Sequence, residues 1–78
     1  MSAKGRFNAL REELGQPLDI LARELRRPYG TVKAWASPSR MEMVPPADVL
    51  AEMEEMALER ARARIRAAGY EVIRRRAA

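Results

Sequence analysis

Leu21-Ala22-Arg23-Glu24-Leu25-Arg26-Arg27-Pro28-Tyr29-Gly30-Thr31-Val32-Lys33-Ala34-Trp35 is the stretch that decides the fold of this chain. Leu18, Leu21, Ala22 and Leu25 recur at helical spacing, and Val32 and Trp35 do so again after a break. The break is Pro28, which biases Arg27 away from the α region and ends the first pattern. Two short helices are predicted, one starting near Pro17 and Leu18, the other running from about Tyr29 to Ala36. Leu25, Val32 and Trp35 fill the angle between them, and the small Ala22 allows a close crossing.

Outward from this pair, a first helix is predicted from about Arg6 to Leu14, with Phe7, Leu10 and Leu14 on one face. Gly15 follows at a position where a left-handed residue ends a helix cheaply. Residues 37–46 hold Pro38, Pro45 and Pro46 and form a connector. A long fourth helix is predicted from about Ala47 to Ala68. Its acids, Asp48, Glu52, Glu54, Glu55 and Glu59, precede its bases, Arg60, Arg62, Arg64 and Arg66, as the helix dipole favours. The Arg-Ala alternation also fits a strand, but Ala and Arg are strong helix formers and poor strand formers. Gly69 ends this helix, residues 70–73 form a short strand, and Arg74–Arg76 form a basic tail.

Composition narrows the function. Seventy-eight residues allow one small domain, marginal alone unless something adds core. The chain has neither cysteine nor histidine, which removes disulfides, thiolate metal sites and the commonest general base. No enzyme activity, metal or cofactor is expected, nor a small-molecule ligand. Fifteen Lys and Arg against eleven Asp and Glu give +4, which points towards a polyanionic partner. No apolar run is long enough to span a bilayer and no signal-peptide core is present, so no membrane partner and a cytoplasmic location are expected. Glu54 and Glu55 point to different faces of a helix and are assigned no chemistry. Met41, Met43, Met53 and Met56 read as adaptable packing.

The stretch from Leu21 to Trp35 resembles the Cro/CI-type (XRE-like) helix-turn-helix repressors of phages and mobile elements, including anti-CRISPR-associated regulators. Members look like Leu-Ala-x-x-Leu-Gly-Val-Ser-x-x-Thr-Val-x-x-Trp, often with Val-Pro downstream, which Val44-Pro45 matches. The likeness covers about a third of the chain. This sequence departs from it at the turn, where Arg26 replaces Gly, Arg27 an apolar residue and Pro28 the capping Ser. If the usual turn is kept, Arg26 must be left-handed at a cost of about 1 kcal/mol; a longer turn is the alternative.

The resemblance implies an all-α helix-turn-helix unit over residues 1–45. A long helix and tail over 46–78 then serve as a dimerisation element within one compact domain. It further implies that the second helix of the pair enters the major groove. With Val32 and Trp35 inward, Tyr29, Gly30, Thr31, Lys33, Ala34 and Ser37 face the bases. Gln16, Arg27 and Arg40, near helix ends, are phosphate candidates, and Lys4 and Arg6 form a basic arm. Each charged residue also has an ordinary existence as solvated surface, and Tyr29 as local packing. The expected partner is a palindromic double-stranded operator bound by a homodimer. Leu50, Met53, Ala57, Ala61 and Ile65, with Val72 and Ile73, supply the dimer interface. Two other functions compete. One is an antitoxin that neutralises a protein partner, for which the tail is short. The other is an excisionase-like DNA-bending protein, for which Met41–Val44 is a poor wing.

Overall fold

Helix boundaries in this chain follow from what precedes each first turn. A computed structural model describes residues 2–69, which form α1 (Ala3–Leu14), α2 (Leu18–Leu25), α3 (Tyr29–Ala36) and α4 (Ala47–Ala67). The side chain of Ser2 accepts from the Gly5 N–H at 3.0 Å and so starts α1 at Ala3 rather than at the expected Arg6. The other three helices each begin after a proline: Pro17, Pro28 and Pro46. Each has its φ near that required for a helix and lends its carbonyl to the first intrahelical bond, from Leu21, Val32 and Leu50. None supplies a side-chain cap. No strand occurs among the described residues, and the expected strand, with Val72 and Ile73, lies outside them.

The ends are as specific as the starts. Gly15, at φ 64°, closes α1 through bonds from its N–H to Arg11 and Glu12. Arg26 closes α2 in the left-handed region, at φ 57° and ψ 43°. The Arg27 N–H then reaches Ala22 O at 3.0 Å and the Arg26 N–H reaches Arg23 O at 3.2 Å. These are the two bonds of a Schellman motif, made here with arginine where glycine is usual. The short form of the turn is therefore the one adopted, and the strain at Arg26 is offset by two satisfied carbonyls.

The core draws on all four helices. Phe7, Leu10 and Leu14 of α1, Leu21, Ala22 and Leu25 of α2, Val32 and Trp35 of α3, and Val49, Met53 and Ala57 of α4 form one cluster. Helix α1 packs against both α3 and α4, while α2 packs against α3. Phe7 meets Trp35 edge to face, with ring centroids 6.1 Å apart. Two residues of the expected dimer interface do not lie at one: Met53 and Ala57 are core residues of the single chain. Leu50 is partly buried against the same cluster. The inner row of α4 steps by four residues from Val49 through Met53 to Ala57, which puts Leu50 at its edge. Of the expected interface within the described residues, Ala61 and Ile65 are the exposed members.

Trp35 is 4% exposed, meets the Phe7 ring and belongs to the core cluster, so Trp35→Ala opens a large cavity. A loss of about 3–5 kcal/mol is expected, comparable to the stability of a domain this size. Urea denaturation followed by circular dichroism checks it. A variant that melts like the parent would show that Trp35 does not organise the core.

Candidate nucleic-acid interface

With Val32 and Trp35 turned inward, α3 presents its opposite side to solvent. Tyr29, Gly30 and Lys33 are exposed, and Thr31 and Ser37 are half-buried. Gly30, Lys33, Ala34, Ser37, Ser39 and Arg40 line one concavity of about 350 Å³. Four of the expected base-facing residues thus share a surface with one expected phosphate contact. Tyr29 and Thr31 lie outside that lining.

Ala34 differs from expectation. It is 7% exposed and forms the floor of the concavity rather than a protruding contact. The cause is α1, which lies along this flank of α3. Lys4 donates from Nζ to Ala34 O at 2.8 Å and to Trp35 O at 3.2 Å, and Asn8 Nδ2 donates to Ala36 O at 3.3 Å. The last carbonyls of a helix lack intrahelical donors, and here α1 supplies them, one with a favourable positive charge. Lys4 and Arg6 are therefore helical residues, and the expected basic arm is not formed.

The remaining cations divide by what they touch. Arg6 pairs with Glu54 across the α1–α4 contact, and Arg60 donates to Leu14 O at the end of α1. Arg27 pairs with Asp48 at 3.0 Å, tying the turn to the start of α4. Gln16 donates from Nε2 to Glu24 at 2.9 Å, so the donor expected for a phosphate is engaged within the chain. Arg40 pairs with Glu42 at 2.7 Å, and among the five phosphate candidates it alone lines the α3 concavity. The Arg40 and Glu42 side chains are more than half exposed. Exposed pairs of this kind add little to stability, so a phosphate can displace the carboxylate. The hydrogen bond from Arg40, reinforced by a backbone N–H, holds the Glu42 carboxyl below its ordinary titration range. The pair therefore persists at neutral pH and releases Arg40 only as pH falls through that lowered range.

Two features of this surface were missed in the sequence. Ser39 joins the lining because residues 37–39 turn back, with the Ser37 and Ser39 hydroxyls 2.8 Å apart; the Ser-Pro-Ser run was its signal. The amino end of α3 also lacks a side-chain cap, which leaves its first N–H groups facing outward beside Tyr29 and Gly30. A separate concavity between α2 and α4 is lined by Glu24, Glu52, Glu55 and Glu59 together with Met56, Arg60 and Ala63. Comparisons with protein-family models, with curated proteins and with solved structures found no match to this chain.

Gly30 has no packing role: a Cβ built there meets nothing within 4 Å. Helix formation by itself favours alanine at this point, by roughly 0.5–1 kcal/mol. Gly30→Ala is therefore expected to raise the melting temperature by a few degrees, measured by thermal circular dichroism. A lowered melting temperature would show that the surface over Gly30 is not open.

Proposed function

We propose that this protein is a sequence-specific regulator of transcription that binds double-stranded DNA, acting as a homodimeric autorepressor on an inverted-repeat operator. The observation that carries this reading is the convergence of Lys33 and Arg40 on the open concavity along α3, in a chain of net charge +4. The likeness of Leu21–Trp35 to helix-turn-helix repressors supports it, as does the left-handed Arg26 that keeps their short turn. Helix α3 is bare at the exposed Gly30, which allows close approach to the major groove, whose width admits one helix.

In this reading Lys33 reads acceptor groups on guanine, with Ser37 and Thr31 beside it. Arg40 holds a phosphate on the flank, after exchanging Glu42 for it. Uncapped N–H groups at Tyr29 and Gly30 add a second phosphate contact, since a helix amino end favours an anion. Arg27 remains a weaker candidate because Asp48 competes for it. One such unit discriminates poorly. Two related by a two-fold axis read both halves of a palindrome, about one DNA turn apart, or roughly 34 Å.

Selection from a pool of randomised duplexes, followed by titration of the selected site against random DNA, tests the reading. Lys33→Ala is expected to lose preference for the selected site. Arg40→Ala weakens both duplexes alike and lowers the salt slope by about 1. Glu42→Gln frees Arg40 and removes a repelling charge, so it tightens both, most visibly at low salt. Equal affinity of wild type and all three variants for both duplexes overturns the proposal.

A further inference from the structure

Helix α4 outlasts the rest of the fold. Its inner row ends at Ala57, and Arg60 reaches Leu14 O where α1 stops. From Ala61 to Ala67 every residue but Arg62 is exposed. Helices are held in proteins mainly by packing of one face, and this half has none among the described residues. On the side away from the core, Ala51, Leu58 and Ile65 recur at intervals of seven, a spacing that drifts by only about 20° per step on a helix. All three are exposed, Leu58 at 44% and Ile65 at 41%. Ala61 lies on the same stripe. Beside it, again seven apart, stand Glu55 and Arg62. Glu55 has no ion pair among the described residues, and Arg62 only a 4.0 Å contact to Glu59.

We propose that this stripe is an interface with a second copy of the chain, in which two α4 helices pair antiparallel about a two-fold axis at Leu58. Charge selects the direction. A parallel pair, whose two-fold axis runs along the helices, carries the partner's Glu55 and the partner's Arg62 to the opposite edge of the seam, where these charges do not meet. The antiparallel pair sets Glu55 beside the partner's Arg62, and symmetry repeats the contact, as an isologous interface requires. It also seats Leu58 on the partner's Leu58 and Ile65 over the partner's Ala51, large against small. The acids of the first half of α4 and the bases of the second thereby become complementary between chains. This deepens the homodimer element of the function proposed above. It says nothing about DNA, and its test contains none.

Sedimentation of the full chain over a wide range of concentration, with circular dichroism as a folding control, tests the pairing. Wild type is expected to dimerise, and Leu58→Asp and Ile65→Asp to stay monomeric with helix content unchanged, because both side chains face solvent in the single chain. Glu55→Arg and Arg62→Glu each raise the dissociation constant about tenfold or more, since each places like charges together twice. The combined Glu55→Arg/Arg62→Glu chain recovers wild-type association, as does a mixture of the two single variants. A wild type monomeric at every concentration overturns the proposal, and so does a dimer indifferent to Leu58→Asp. A dimer that Leu58→Asp breaks but the charge swap fails to rescue overturns the antiparallel direction.

Discussion

The edge-to-face contact of Phe7 with Trp35 joins α1 to α3, and the position of every other helix depends on it. Phe7 is completely buried and Trp35 nearly so, and their rings stand at 74° to one another. Such a pair adds about 0.5–1.5 kcal/mol beyond the area it hides. Its larger effect is geometric. Once the rings meet, Lys4 and Asn8, on the same helix as Phe7, reach the terminal carbonyls of α3. A buried contact and three hydrogen bonds thus fix the carboxyl end of α3, while α2 and the turn at Arg26 fix its amino end. What remains free is the outer face.

This anchoring changes what the basic residues mean. A positive chain invites the assignment of each cation to a polyanion, yet several have work inside the fold. Lys4 and Arg60 terminate helices, Arg6 and Arg27 tie neighbouring helices together, and Arg66 pairs with Glu59 at 3.1 Å. Lysine and arginine suit these tasks because carbonyls at a helix end carry partial negative charge and the long side chains reach across a groove. Lys33 is exposed without an ion pair among the described residues, and Arg40 is held only by an exposed carboxylate. The charge relevant to the candidate site is therefore local.

Much of the fold was legible in sequence because proline and glycine set its boundaries. Pro28 and Gly15 act through backbone geometry and a missing N–H, effects that operate within one or two residues whatever the tertiary context. Phe7, Leu10, Leu14, Leu21, Leu25, Val32 and Trp35 were recognisable as core because their helices are short and each has one apolar stripe. Arg26 was legible as well: given the short turn, only a left-handed residue closes it. The outer face of α3 followed from the inward placement of Val32 and Trp35, which put Gly30, Lys33 and Ser37 on the opposite side.

Sequence by itself determined the helices and their order, since these rest on interactions between residues close along the chain, and it narrowed the turn at Arg26 to two forms. Tertiary structure decided the rest, because it depends on which surfaces meet. The apolar residues of α4 admit more than one inner row, and the fit of Val49, Met53 and Ala57 against the other helices selected one. Met53 and Ala57 thereby left the candidate interface and joined the core. Ala34 became a floor because α1 covers its flank, and Lys4 became a cap because α1 begins early enough to reach α3. Arg40 entered the site only through the fold of the connector, which returns it to the side of Lys33. Hydrogen bonds and ion pairs between residues thirty or forty positions apart leave no periodic trace in a sequence. They are decided when the helices pack.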